Sequence, residues 1–362
     1  MMTSEQVPPA SPTVMVGSFP PPVHGQAKNN ARIASDLATL TSIKTLNLSP
    51  GTLARSSISY HARRILRFLP AFLWMATRNF KAAYISLDSG LGLLYQIPLV
   101  LCARIRKRPT TLHHRSFSYV NTRSGLMGAL LRITEHQACH VFLCETHSRQ
   151  FQDLYGRVNN IIVDNVRLLD VPPNRRVLAA PNTRVVGYLS NASLEKGIDT
   201  FISLAQRMRS PEYSFVVAGP TEDLAVREAI ERAAAEGVLT YIGPVYGEAK
   251  MAYLDHIDIL CFPTRYAREA QPNVLFEAMA RDCLVMTTAR GCIAEDIPSP
   301  PNLISSSAGQ LLADAPDFLK ASEAISRSGN ADSVSDRQSL SHARYRALMT
   351  RLAEPETVRG TR

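Results

Sequence analysis

The stretch FPTRYAREAQPNVLFEAMA, residues 262–280, shows where a strand ends, where the next helix begins and where ligand chemistry is expected. The preceding apolar run stops at Phe262, and a polar loop follows. Proline favours the first turn of a helix, so Pro272 predicts a helix that starts there. The free N–H groups of such a helix start carry positive dipole character, which suits a diphosphate.

Two glutamates stand eight residues apart in this stretch. Glu269 lies in the loop and Glu277 inside the predicted helix, so the two carboxylates have different surroundings and different tasks. We expect Glu269 to reach a sugar and Glu277 to accept hydrogen bonds from ribose hydroxyls. On spacing alone, a capped helix with two surface glutamates is an equally good interpretation.

Strands alternate with helices on both sides of this stretch, which predicts an α/β protein with two doubly wound parallel sheets. Pro172 and Pro173 cannot lie inside a strand or helix and mark a linker. We therefore predict an N-terminal domain over residues 1–173, a C-terminal domain over 174–335, and a terminal helix and tail over 336–362. Ligands bind beyond the carboxyl ends of the strands in such sheets, so the site is expected between the domains. Residues 299–335 predict loops and one short helix.

Positive charge dominates, with 40 basic and 31 acidic residues and a net charge of +9. Arginines and a lysine flank the apolar run FLPAFLWM within residues 60–81, which predicts either contact with a membrane surface or ordinary packing with a solvated rim. Pro70 argues against one continuous helix there. The apolar residues 91–103 are too few to span a bilayer and predict a buried helix.

Other functional classes lack their sequence signals. The N-terminus shows no charged region followed by an apolar stretch, so we expect a cytoplasmic protein. Residues 60–81 add the alternative of peripheral contact with the inner face of the membrane. Basic and aromatic residues do not interleave as in nucleic-acid-binding motifs, so no nucleic-acid partner is expected. Neither a D-x-D pair, an acidic cluster nor a C-x-x-C pair indicates a metal.

The segment from Glu269 to Ala280 resembles the E-x7-E region of retaining GT-B glycosyltransferases, particularly family four. The usual pattern is E-G-x-P, four residues, then E-A-x-A; this chain reads EAQP and EAMA, with Ala270 in place of glycine. Three further segments resemble the family in the same order: PPVHGQA at 21–27, VGYLSNASLEKG at 186–197, and TTARGCIAE at 287–295, where Cys292 replaces a glycine.

The resemblance implies two Rossmann-like domains of the GT-B type and transfer of a hexose from a nucleotide-diphosphate sugar to an acceptor hydroxyl with retention. It implies no cofactor and no catalytic metal. The expected acceptor is a glycan or a lipid-linked intermediate of bacterial polysaccharide or glycolipid synthesis. Catalytic roles fall to Glu269, His114 and Lys196, and Lys196 also binds the diphosphate. The other implied donor-binding residues are Gly25, Asn191, Arg265, Pro272, Asn273, Val274, Leu275 and Glu277.

Two positions of the resemblance leave alternatives open. Many relatives carry an arginine shortly before the lysine, but residues 188–195 contain none, so Arg265, Arg268 or Arg290 would have to replace it. His113 and His114 follow a strand where the family often has a histidine near the donor sugar, and a structural histidine fits each equally well. We favour His114, because neighbours alternate along a strand and His113 then faces the core. A sugar-nucleotide epimerase, a phosphorylase or a non-catalytic binding protein on the same fold is the rival prediction.

Overall fold

Two six-stranded parallel sheets organise the chain. The computed structural model describes residues 11–22, 25–51, 58–135, 137–170, 174, 183–325 and 328–355, with the side chains of 58–61 excepted. Two compact units emerge, Met1–Val163 with Ala343–Arg362, and Asp164–His342. The predicted linker prolines, Pro172 and Pro173, lie outside the described residues, and the domain boundary at 173 stays a prediction.

The first unit has the strand order β2-β1-β3-β4-β5-β6. Buried apolar side chains fill the central strands β1 and β3, as the sequence predicts for a sheet covered on both faces. The elements are β1 Thr13–Gly17, α1 Gly25–Ala38, β2 Ile43–Asn47, α2 Ile58–Thr77, β3 Ala82–Leu87, α3 Leu93–Ile105, β4 Thr110–His114, α4 Ser118–Asn121, α5 Gly125–Thr134, β5 Cys139–Phe142, α6 Glu145–Tyr155 and β6 Asn160–Ile162.

The second unit has the order β12-β11-β10-β7-β8-β9. The strand pairs described in both units are parallel, which confirms the predicted fold class. The elements are β7 Arg184–Leu189, α7 Ile198–Arg207, β8 Tyr213–Ala218, α8 Leu224–Ala235, β9 Thr240–Gly243, α9 Gly247–His256, β10 Ile259–Phe262, α10 Asn273–Met279, β11 Leu284–Thr288, α11 Ile293–Asp296, β12 Leu303–Ser305, α12 Ala308–Ser322 and α13 Asn330–Ala353, whose last turns belong to the first unit.

Two sequence predictions about helices were wrong, and a third was right only in part. Pro70 does not interrupt α2, which runs for 20 residues; the proline is exposed, so water can hydrate the carbonyl that loses its partner. Residues 299–335 hold the 15-residue helix α12, which Ser307 caps and which buries Leu311, Ala315 and Leu319 at a spacing of four. The helix over residues 91–103 is only partly buried, because Leu91, Leu94 and Leu101 are exposed.

The helix α2 packs against α3 in the first unit. Rings of Phe68 and Tyr95 meet edge to face with centroids 5.8 Å apart. Trp74, the one tryptophan of the sequence, lies with its ring 6.3 Å from that of Phe80. In the described residues, no helix combines the length and apolarity that crossing a bilayer would need.

Candidate functional site

The strand order of the second unit reverses between β7 and β10, which are neighbours in the sheet but not in sequence. Loops at the carboxyl ends of two such strands form a ligand crevice in doubly wound sheets. Here those loops are residues 190–197 and 263–272. The amide of Arg265 donates a 2.7 Å hydrogen bond to the carbonyl of Glu195 and joins the two loops.

Gly197 shows how closely the two loops approach. Its φ is +77°, and a Cβ atom there would lie 2.1 Å from the carbonyl oxygen of Pro263. Only glycine adopts this backbone conformation while leaving room for the neighbouring chain. The glycine therefore keeps Lys196, the residue before it, at the edge of the second loop.

The side chains of Lys196 and Glu269, one from each loop, form an ion pair. The distance from Lys196 Nζ to Glu269 Oε2 is 2.5 Å, and Thr264 Oγ1 donates to the same oxygen at 3.2 Å. The lysine Nζ also lies 4.7 Å from the ring centroid of Tyr266 and 5.4 Å from that of Phe262. The structure thus brings together the two residues predicted to meet the diphosphate and the sugar.

Glu277 lies on α10 and is 0% exposed, while Glu269 is 8% exposed. Lys250 of α9 forms an ion pair with the Glu277 carboxylate. Burying a carboxylate without a partner costs several kcal/mol, and the lysine offsets part of that cost. The interpretation of a capped helix with two surface glutamates is therefore wrong, and Lys250 is a site residue that the sequence motifs did not reveal.

The helix predicted at Pro272 is confirmed. Pro272 is the N-cap residue, with φ −73° and ψ 119°, and α10 begins at Asn273. The amide of Leu275 donates to the Pro272 carbonyl at 3.2 Å. Asn273 and Val274 are half-buried and Leu275 is buried, so the helix start is positioned by an apolar anchor.

A buried polar network supports the Glu269–Pro272 loop from behind. The Gln271 side chain accepts from the amide of Asn165 at 2.7 Å and donates to Asp296 at 2.8 Å. The guanidinium of Arg337, on α13, pairs with both Asp164 and Asp296. Burial raises the pKa of Asp296 well above its ordinary value, and the neighbouring Asp164 charge raises it further. Burial likewise raises the pKa of Asp164, against the opposing charge of Arg337.

The segment resembling T-x-x-G-G-x-x-E packs on the same loop. Gly291 has φ +55°, and a Cβ atom there would lie 2.4 Å from the carbonyl oxygen of Ala270. The amide of Cys292 donates to that oxygen at 2.8 Å. The first glycine of the pattern is thus required by close backbone packing, and Cys292 contributes its amide to the same contact.

Arg265, Arg268 and Arg290 were the alternative candidates to replace the missing cation. Arg265 already contacts both carboxylate oxygens of Asp199, at 2.8 and 3.0 Å, and the carbonyl of Leu194 at 2.6 Å. Arg268 and Arg290 are exposed, as is Asn191 in the first loop. The geometry therefore gives Arg265 a structural task that the sequence did not predict.

Of the site residues predicted in the first unit, the two histidines are buried and Gly25 lies at a helix start. His113 and His114 are both 0% exposed, so the expectation that only His113 faces the core is wrong. His114 Nε2 lies 2.9 Å from His140 Nδ1, and its other ring nitrogen lies 3.1 Å from the hydroxyl of Tyr119. Burial lowers the pKa of His114 well below its ordinary value, so the imidazole is neutral. Gly25 is the exposed first residue of α1, and its donor contact stays a prediction.

Comparison with known proteins agrees with this geometry. Residues 170–302, which contain both loops, match the family model described as glycosyl transferases group 1. Residues 170–302 are therefore similar to a group 1 glycosyl transferase domain. Solved structures extend the likeness beyond this domain, although no curated protein matches the chain by sequence.

Three solved structures illustrate the shared fold. Sucrose-phosphate synthase from Thermosynechococcus elongatus is 15% identical, with a TM-score of 0.68 over 94% of this chain and 99% of that one. The α,α-trehalose-phosphate synthase (UDP-forming) from Burkholderia vietnamiensis is 12% identical, with a TM-score of 0.64 over 96% and 98%. Anabaena HepE in complex with UDP is 12% identical, with a TM-score of 0.63 over 95% and 98%. The chain therefore has the GT-B fold, with two Rossmann-like units.

Proposed function

We propose that this glycosyltransferase moves a hexose from a nucleotide-diphosphate sugar to an acceptor hydroxyl, with retention of anomeric configuration and without a metal or other cofactor. The observation that supports it best is the ion pair between Lys196 and Glu269 at the carboxyl ends of β7 and β10. A cation and a carboxylate at one point match a substrate that carries a diphosphate beside a polyhydroxyl ring.

In this proposal the ion pair opens when the donor binds. The diphosphate takes the ammonium of Lys196, and the released Glu269 carboxylate accepts hydrogen bonds from sugar hydroxyls. The Thr264 hydroxyl, 3.2 Å from the carboxylate, keeps Glu269 oriented after the lysine has moved. Lys196 then stabilises negative charge that grows on the departing nucleoside diphosphate, which is electrostatic catalysis.

The remaining groups hold the donor. Glu277 accepts hydrogen bonds from the ribose hydroxyls, and the α10 start at Asn273 and Val274 lies beside the phosphates. The acceptor hydroxyl attacks from the face that the leaving group occupies, so configuration is retained. Donors that carry UDP are the first choice, because HepE was solved in complex with UDP and the trehalose-phosphate synthase is UDP-forming. A glycan or lipid-linked acceptor of bacterial polysaccharide synthesis is our proposal for the second substrate.

The test has two parts. UDP- and GDP-sugars are screened by thermal shift, because a ligand at about 100 times its Kd adds roughly 2.7 kcal/mol of stability. The stabilising donor is then incubated with an acceptor panel, in EDTA, and the anomeric configuration of the product is read by NMR. A product with inverted configuration, or activity only with added metal, would contradict the mechanism.

Two control reactions separate the rival functions. Donor alone, with and without inorganic phosphate, gives an epimer with an epimerase and a sugar phosphate with a phosphorylase. Tight donor binding without turnover across the panel would indicate a binding protein instead. Transfer that requires the acceptor and releases the nucleoside diphosphate supports the proposal.

A further inference from the structure

Exposed apolar side chains are concentrated on two adjacent helices of the first unit. Eight of the fourteen large hydrophobic residues that are exposed in the described part of the chain lie between Ile65 and Ile105. They belong to α2, to α3 and to the turn between β3 and α3. Contiguous exposed apolar surface on a protein usually marks an interaction site, whereas single exposed leucines do not.

On α2 the exposed apolar residues share one face. At about 100° per residue, Ile65, Leu66, Leu69 and Leu73 lie within an arc of about 100°. Their exposed fractions are 46%, 68%, 49% and 59%. The exposed Arg63 and Arg67 follow one edge of this arc, about 60° and 100° beyond Leu66 around the helix. The helix is therefore amphipathic in its exposed half, with leucines beside arginines.

The helix α3 presents a second apolar face. Leu94, Leu101 and Ile105 lie within about 40° of one another on the helix, with 51%, 42% and 71% of their surfaces exposed. The rings of Phe68 on α2 and Tyr95 on α3 contact each other. Each aromatic residue has an exposed leucine as its neighbour in sequence, Leu69 on α2 and Leu94 on α3, so the two exposed faces lie near this contact. We call these two exposed faces the α2–α3 surface.

Charge in the sequence is concentrated in the same part of the chain. Residues 37–134 contain fourteen lysines and arginines but a single acidic residue, Asp88. The other positions hold 26 basic and 30 acidic residues, so they carry a net charge of −4. Arg64 pairs with Asp88 and neutralises it. The segment that contains α2 and α3 is therefore strongly cationic, while the rest is slightly anionic.

We infer that the α2–α3 surface docks on an anionic lipid bilayer. Leucines beside arginines on a helix fit a membrane surface: the apolar side chains enter the boundary between headgroups and acyl chains, and the cations meet lipid phosphates. A second copy of this chain is a poorer partner, because two surfaces with the same strong positive charge repel each other. This inference does not depend on the chemistry of the donor site.

The experiment measures binding of the full chain to vesicles by flotation. Vesicles of phosphatidylcholine alone are compared with vesicles that contain 30% phosphatidylglycerol. The test variant is Leu66→Ser/Leu69→Ser/Leu73→Ser, and Arg63→Gln/Arg67→Gln tests the charges. The matched control is Leu224→Ser/Leu340→Ser, which removes leucines that are 74% and 78% exposed on α8 and α13. Melting temperatures verify that each variant is folded.

We expect the unmodified chain to bind the anionic vesicles at least tenfold more strongly than the neutral ones, and to lose this binding in high salt. The leucine variant and the arginine variant should each reduce binding at least tenfold, whereas the control variant should not. Absent vesicle binding, or equal binding by the leucine variant, overturns the inference. A dimer in analytical ultracentrifugation that the leucine variant disrupts would assign the surface to a second copy and also overturn it.

Discussion

At the scale of single residues, the site consists of two ion pairs between carboxylates and lysines. Lys196 pairs with Glu269, and Lys250 pairs with Glu277. Each pair joins two different elements, which explains why the sequence revealed only part of the site. The E-x7-E spacing and the lysine before Gly197 are motifs, but Lys250 lies on α9 and becomes a neighbour of Glu277 only in the folded unit.

The two glutamates should respond differently to substitution. Glu269→Ala removes contacts to the reacting sugar and should lower kcat by about 100-fold or more, as loss of one preorganised group commonly does. Glu277→Ala removes ribose binding and should mainly raise KM for the donor. Steady-state kinetics measure both, with Glu228→Ala on the exposed side of α8 as control. Equal, negligible effects of both substitutions would remove the assignment.

Lys250 should act through Glu277. Lys250→Met leaves the buried Glu277 carboxylate without its ammonium partner, so the carboxylate loses the contact that orients it. We expect a donor KM raised about tenfold, with kcat changed less. Lys320→Met, on an exposed position of α12, is the control. A KM equal to that of the unmodified chain would show that the pair is dispensable.

At the scale of elements, the polar network behind the Glu269–Pro272 loop ties α13 and α11 to the site. Arg337 faces two carboxylates, and Gln271 connects them to the loop. Nothing in the sequence pattern of α13 indicated this arginine, because the buried partners lie more than forty residues away. The network explains how a loop without regular structure is held in one place.

Replacement of Arg337 should destabilise the second unit. Arg337→Met leaves Asp164 and Asp296 buried without their cation, at a cost of about 3–5 kcal/mol. We expect a lower melting temperature and a lower kcat, because the loop that carries Glu269 is loosened. Arg337→Met/Asp296→Asn should recover part of the stability by removing one carboxylate, and Arg346→Met on an exposed turn of α13 is the control. A single variant as stable as the unmodified chain would contradict this account.

The elements themselves were predictable where their patterns are periodic. Strands such as β1, β7 and β10 are largely apolar runs, and α8 buries Val226, Ile230 and Ala233 at helical spacing. The edge strand β2 was missed, because half-exposed positions give it no clear apolar pattern. The serine- and proline-rich composition of residues 299–335 obscured α12, although Leu311, Ala315 and Leu319 had the spacing of a buried helix face.

At the scale of the molecule, the two units differ in their buried titratable groups. The first unit encloses histidines 113, 114, 140 and 147 among aromatic rings. Their burial was invisible in the sequence, because β4 is covered on both faces and the alternation of a half-exposed strand does not apply. The likeness to distant GT-B structures likewise concerns the fold, whereas the choice of donor and acceptor depends on individual side chains.

Acid should destabilise the first unit through these histidines. Burial lowers the pKa of His147 from 6.5 to about 3, and the pKa values of His113 and His114 are also lowered by burial. The unfolded chain therefore binds more protons below pH 6.5, so stability is lost as the pH falls through that value. At pH 5.5 protonation of His147 in the unfolded chain costs the folded state about 1 kcal/mol.

Calorimetric unfolding at pH 7.5 and 5.5 measures this loss. His147 stacks on Phe117 with centroids 4.3 Å apart, so His147→Phe keeps an aromatic ring in place while removing one titrating group. The variant should lose less stability between the two pH values than the unmodified chain. His342→Phe, at an exposed position of α13, should leave the pH dependence unchanged. An equal pH dependence in the His147 variant would exclude this histidine as a cause.

The position of Trp74 gives the molecule a natural optical reporter. Because no other residue of the sequence carries an indole, all tryptophan emission originates from one half-buried side chain on α2. Its emission wavelength follows the polarity around this side chain, which lies beside Phe80 and Lys44. Fluorescence of the unlabelled chain therefore observes a single helix, without any dye, engineered cysteine or substitution that would disturb its surface.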